Sequence, residues 1–210
     1  MFARRHAQAH PGKPAVIMAG SGETVTFGEL EARANRVAQF LRDAGLRRGD
    51  HIAVFIENSP QLLEIEAGAE RAGLYYSLIN TYLGADEVAY IVANSQAKVL
   101  FSSAARRPVA EAAAAQCPGL DRKLMTGPGS LPAGWEPYDT VIAGYPATPI
   151  ADESLGAAML YSSGTPPFLF PTRRSERPCS TPRVRPASPR ASCATCRRAA
   201  RTSRCRSWSS

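Results

Sequence analysis

Ser162-Ser163-Gly164-Thr165 sets three hydroxyls and a glycine directly after a short apolar run, Ala157-Ala158-Met159-Leu160-Tyr161. Hydroxyl and amide donors that converge around a glycine, where the backbone can come close to a ligand, suit a phosphate. The apolar run reads as a buried strand that delivers this loop. Ser, Gly and Thr also make ordinary turns, so the four residues alone leave a phosphate loop and a plain connection both open.

Other residues with chemical potential are weaker candidates. His6, His10 and His51 stand singly, with no Cys, Asp or Glu at metal-ligand spacing, and are read as carrying no chemistry. Cys193-Ala194-Thr195-Cys196 has zinc-knuckle spacing, and Cys179 and Cys205 could complete four ligands. Structural zinc sites ordinarily show two close pairs, however, and this sequence shows one. The arginines that crowd the last part of the chain offer nonspecific, salt-dependent contact with nucleic-acid phosphates.

The elements that must position the loop can be followed along the chain. Pro14 to Met18 and Thr24 to Phe27, separated by Ala19-Gly20-Ser21-Gly22-Glu23, read as a β-hairpin. Thr26 and Glu29 have capping-box spacing, with Val25 and Leu30 placed as a hydrophobic staple. Leu30, Ala34, Val37, Ala38 and Leu41 then share one helical face, and Gly45 stops that helix. His51 to Ile56 reads as a strand buried on both faces, and Ser59-Pro60 as the cap and first turn of a second helix. Leu74 to Leu78 resumes as strand. A helix follows Gly84, then a strand over Ala97 to Phe101, a helix over Val109 to Gln116 and a short strand over Lys123 to Met125. Between Gly127 and Glu153, proline and glycine mark a surface connection pinned by Trp135 and Tyr138. Alternating strands and helices predict an α/β fold, a mostly parallel sheet flanked by helices.

Composition divides the 210 residues in two at residue 165. Residues 1–165 carry 14 bases and 17 acids, whereas residues 166–210 carry eleven arginines against the single acid Glu176. The overall charge of +7 is therefore the sum of a mildly acidic front and a strongly basic tail. Arg, Ser, Pro, Ala, Thr and Cys supply 39 of the last 45 residues, too few large apolar groups to offset the entropy of ordering, so the tail is expected to be disordered. Its abrupt start and its GC-rich codon types point to an out-of-frame translation. Cys117 is the one cysteine of the front, as expected of a reducing, cytoplasmic setting. No apolar run reaches the ~18 residues needed to span a bilayer, and the N-terminus lacks the apolar stretch of a signal peptide. Arg4 and Arg5 are read as part of a first helix in preference to an organelle transit peptide.

Three ordered motifs resemble the adenylate-forming, or AMP-binding, superfamily of acyl-CoA synthetases, luciferases and peptide-synthetase adenylation domains. Val25-Thr26-Phe27-Gly28-Glu29-Leu30 is similar to its Thr-Tyr-x-Glu-Leu element. Arg71-Ala72-Gly73-Leu74-Tyr75-Tyr76 through Ile79-Asn80 is similar to Ala-Gly-x-x-Tyr-x-Pro-x-Asn. Tyr161 to Thr165 matches the first half of Tyr-(Ser/Thr)-Ser-Gly-Thr-Thr-Gly-x-Pro-Lys-Gly. Residues 79–83, 87–91 and 97–100 look most like fatty or other acyl-CoA synthetases.

The resemblance implies a partial AMP-binding domain over residues 1–165. It further implies ATP, Mg²⁺ and coenzyme A as the family's co-reactants, and a small carboxylic acid converted to an acyl-adenylate and then a thioester. Ser162, Ser163, Gly164 and Thr165 carry over to its phosphate loop, the capping-box motif being architectural. Pro166 and Pro167 stand where the family has Thr-Gly, and no Pro-Lys-Gly follows. Proline also lacks an amide hydrogen to donate. The family's later motifs, including its acyl pocket and catalytic lysine, have no counterpart in the chain, so the acid is unreadable and the chain is expected to be an inactive front portion. A basic protein binding nucleic acid or zinc through its tail, and a noncatalytic α/β interaction module, are the competing readings.

Overall fold

Apolar runs bounded by glycine and proline become strands, and the amphipathic stretches between them become the helices that cover the sheet. The structure, a computed structural model, describes residues 4–162 and 165–169. Ser163, Gly164, Cys179, Cys193, Cys196, Cys205 and the arginine-rich stretch with its expected disorder lie outside the described residues.

The chain begins with α1 (Arg4–Ala9) and an antiparallel hairpin of β1 (Pro14–Ile17) and β2 (Thr24–Thr26). Next come α2 (Phe27–Asp43), β3 (His51–Phe55), α3 (Pro60–Arg71), β4 (Tyr75–Leu78), α4 (Ala85–Asn94) and β5 (Val99–Ser103). A 3₁₀ turn (Ala104–Arg106) leads into α5 (Arg107–Ala115), β6 (Arg122–Thr126), β7 (Glu136–Pro137), α6 (Tyr138–Ala143), β8 (Ala157–Ser162) and β9 (Thr165–Leu169). The connection read between Gly127 and Glu153 thus contains a short strand and a one-and-a-half-turn helix.

The larger sheet has the order β7-β6-β5-β3-β4-β8-β9. Its strands β3 to β8 pair in parallel, and β9 alone runs antiparallel, against β8. Alternation along β3 sorts the core into two layers. Ile52 and Val54 pack with Phe40 and Leu41 of α2, Ile65 of α3 and Tyr138 of α6. Ala53 and Phe55 pack with Val88 and Val92 of α4, Ala110 of α5 and Cys117. Both faces of the sheet are therefore covered, which is why its central strands read as unbroken apolar runs.

Local signals account for most helix ends. The Thr26 hydroxyl accepts from the Glu29 amide at 3.3 Å while the Glu29 carboxylate accepts from the Thr26 amide at 2.8 Å, both halves of the capping box. Gly84 keeps only the second half, its amide donating to Glu87 at 2.8 Å. Ser59 departs from expectation. Its hydroxyl makes no cap bond, because the Leu62 amide donates to the Ser59 carbonyl at 3.2 Å instead. Among the described residues no helix is long and apolar enough to cross a membrane.

Candidate functional site

β8 ends in the candidate loop, and β9 returns beside it with Ser162 paired to Thr165. Ser162 and Thr165 are thus partners in an antiparallel pair, with two positions of sequence between them. Tyr161, the last residue before the loop with a described side chain, donates its phenol to Asn94 Oδ1 at 3.0 Å and packs on the layer of core that includes α4. Burial raises the pKa of that phenol above its ordinary value, so it remains a donor at neutral pH. The end of β8 is thereby tied to α4 as well as to the sheet.

The parallel strands present their carboxyl ends on the edge of the sheet from which this loop emerges. From β3 the chain moves to β4 on one side, then crosses back to β5 and continues outward to β6 and β7. Connections diverge between β3 and β5, the place where open α/β sheets leave a ligand crevice. Glu57 sits just beyond β3 at this point. Ser103 Oγ donates to it at 2.5 Å and Arg106 Nε at 2.7 Å. Burial works against the ionised Glu57 carboxyl, but the bonds from Ser103 and a backbone amide, with Arg106, outweigh it and hold the group below the usual carboxylate range.

A cavity of about 530 Å³ opens here, lined by Glu57, Asn58, Asn80, Tyr82 and Arg106 over a floor that includes Val54 and Ile56. A second, of about 490 Å³, lies between Asn80, Tyr90 and Tyr161. Both volumes fall in the range of small-molecule sites. Asn80 borders both cavities, and its side chain accepts from the Tyr82 amide at 3.0 Å in a local turn that leaves Tyr82 out in solvent.

Of the four residues expected in the loop, Ser162 and Thr165 are placed as strand partners, and Ser163 and Gly164 lie outside the described residues. Glu57 and Arg106 were not singled out in the sequence. They are 49 positions apart and meet only because Phe55 pairs with Ser102. The available signal was positional, since each follows the end of a strand-like run. Among the described residues no group of three or more His, Cys, Asp or Glu is placed to hold a metal ion. His51 opens β3 at the opposite end of the strand, its ring edge-on to Tyr75 with centroids 5.0 Å apart.

Comparison with known proteins fits this arrangement. A model of the family described as "AMP-binding enzyme" matches residues 3–166. The chain belongs to the AMP-binding enzyme family. Among its relatives, a fatty acid–[acyl-carrier-protein] ligase of Streptomyces coeruleorubidus is 32% identical over 169 residues, covering 76% of this chain and 29% of that protein. Mouse long-chain fatty acid transport protein 1 is 30% identical over 171 residues, again 76% of this chain but 26% of the relative. The chain therefore spans less than a third of the length of these AMP-binding relatives. A crystal structure of the anthranilate CoA ligase AuaEII in complex with anthranoyl-AMP superposes with a TM-score of 0.72 at 25% identity, over 79% of this chain and 32% of that one.

Proposed function

We propose that the chain is the nucleotide-facing front of an ATP-dependent ligase that activates a carboxylic acid for transfer to coenzyme A. The observation that carries this reading is the hairpin with Ser162 and Thr165 as partners at the carboxyl end of β8, on the sheet edge that also holds the Arg106 cavity. The residue types of the run 162–165, three hydroxyls and a glycine, are of the kind that suits phosphate oxygens, as is the Arg106 guanidinium that follows β5. ATP and Mg²⁺ supply an activated phosphorus and charge neutralisation when bound. The chain's own contribution is to hold the phosphates and orient the α-phosphorus toward the acid. Relatives named for fatty acids and a structural neighbour named for an aromatic acid both support a carboxylic acid as the class, without selecting one. A buried Cys117 whose thiol is raised by burial suits a reducing, cytoplasmic compartment.

We further propose that the 210-residue chain holds ATP without completing adenylation. Pro166 offers no amide hydrogen beside Thr165, and Pro166-Pro167 stand where the family's loop reads Thr-Gly. The test is ATP binding by calorimetry together with carboxylate-dependent ATP–pyrophosphate exchange, run on the purified chain with fatty and aromatic acids. Binding without exchange is the expected result. Exchange above background would overturn the proposed inactivity, and absence of binding would overturn the phosphate reading.

A further inference from the structure

The strand that carries the loop has little hold on the sheet. β8 joins β4 through Tyr75↔Ala157 and Tyr76↔Ala158, whereas β5 and β6 share five such pairs. What precedes β8 is held far more firmly. Residues 147–156 form a strap over α2 and α3, and successive side chains along one stripe of α2 grip it. Asn35 Nδ2 donates to the Ala147 carbonyl at 2.9 Å, Gln39 Nε2 to the Thr148 carbonyl at 2.9 Å, and Arg42 Nε to Asp152 Oδ1 at 3.0 Å. Arg42 also donates to the Ala72 carbonyl at 2.8 Å, which ties the same stripe to the end of α3.

The strap then meets a charge network. Arg4 of α1 donates to both carboxylate oxygens of Glu153, through Nη1 at 2.8 Å and through Nη2, and its Nε reaches Glu31 at 3.3 Å. Glu31 in turn accepts from the fully buried Arg71 at 2.9 and 2.8 Å. Immediately afterwards the backbone docks, the Ser154 amide on the Arg71 carbonyl at 3.0 Å, Gly156 on Glu70 at 2.6 Å and Ala157 on Leu74 at 3.0 Å. Gly156 fits because it has no side chain. A Cβ there would lie 2.3 Å from the Leu74 carbonyl oxygen and 3.0 Å from that of Ala69, both backbone atoms that no rotamer change can move.

We infer that Arg4, Glu153 and the Asn35-Gln39-Arg42 stripe are positioning residues, a clamp that sets the register of β8 on β4 and so fixes where the strand delivers its end at Ser162. The inference rests on the phosphate reading of residues 162–165. Glu153 and Arg4 line neither of the two cavities near the end of β8, so any effect they have on nucleotide binding acts through the strap and the Glu31–Arg71 network, not by contact.

The experiment compares the full chain with Glu153→Ala and Glu153→Gln by hydrogen exchange with mass spectrometry, alongside ATP binding by calorimetry. Glu153→Ala is expected to speed exchange of peptides covering residues 157–165 about tenfold, with β3 and β5 unchanged, and to weaken ATP binding several-fold. Glu153→Gln keeps one acceptor for Arg4 and is expected to recover much of the protection. Gly156→Ala, which forces the register directly, should reproduce the exchange pattern more severely. Equal exchange over 157–165 in Glu153→Ala and the unaltered chain would overturn the clamp. So would faster exchange there accompanied by unchanged ATP affinity, or a uniform rise across all strands. If the unaltered chain binds no ATP, the ligase reading falls, and the exchange rates still decide the clamp.

Discussion

Arg71 shows what a single residue can demand of its surroundings. Its guanidinium is taken wholly out of water, a transfer that costs several kcal/mol unless every donor is met. Two bonds to Glu31, one to Asn35 and one to the Ala67 carbonyl answer most of that demand. Burial alone would raise the Glu31 carboxyl, but Arg71 and Arg4 outweigh it and hold the group below the ordinary carboxylate range. Arg71→Met should therefore destabilise the fold by about 3–5 kcal/mol in urea unfolding, because it leaves Glu31 half-buried and Asn35 short of a partner. Adding Glu31→Gln to it should cost less than the two single changes together. None of this was legible in the sequence, where Glu31 sits among the charges off the apolar face of α2 and Arg71 appears only as the start of a motif. Periodicity places residues on faces. It does not name the partner that a face meets forty positions away.

At the scale of elements, α2 and α3 pack closely because Gly68 lies over Val37. A Cβ at Gly68 would stand 2.6 Å from Val37 Cγ1 and 3.1 Å from the Ala34 carbonyl. Gly68→Ala gains helix propensity but overpacks this contact, and a net loss of about 1–3 kcal/mol is expected in chemical denaturation. The elements themselves were largely readable. The α2 capping box, the buried β3 run and the alternation of strand with helix all express local chemistry, and each stands where the residues put it. β7 and α6 escaped because they are short and enclosed by Pro137 and Gly144, which read as connection. Their one signal was Tyr138 and Ile142, four apart and both buried. The candidate site could be nominated from sequence only on its own strand. Ser162 to Thr165 form one contiguous run, whereas Glu57, Asn80 and Arg106 come together through strand order, which no local pattern encodes.

Across the whole molecule, acid should loosen the fold in two stages. Burial lowers the His51 pKa below its ordinary value of 6.5, outweighing the Ser95 carbonyl and Asp50, which favour the charged form. Lys98 faces the same cluster, bonded to Asp50 at 2.9 Å. A base harder to protonate when folded leaves the unfolded chain with more bound protons, so stability falls as pH drops below about 6.5 toward the folded value. The depressed carboxyls of Glu31, Asp50, Glu57 and Glu136 then add a second loss below their ordinary range, as pH falls through their folded values. Melting temperatures taken from pH 7.5 to 3.5 should show both limbs, and His51→Gln should flatten the first while changing the second only through the small contribution His51 makes at Asp50.

The strand order also bears on how the chain reaches this structure. Pairing His51 with Tyr75 closes a short stretch of chain that holds one helix, whereas pairing Tyr75 with Ala157 encloses three further strands and three helices. Chain entropy makes the longer closure dearer by about 1 kcal/mol before any contact offsets it. The strand bearing the loop thus depends on the most distant pairing in the sheet, and in a chain made from its N-terminus the β4 edge waits open until residues 157–162 follow.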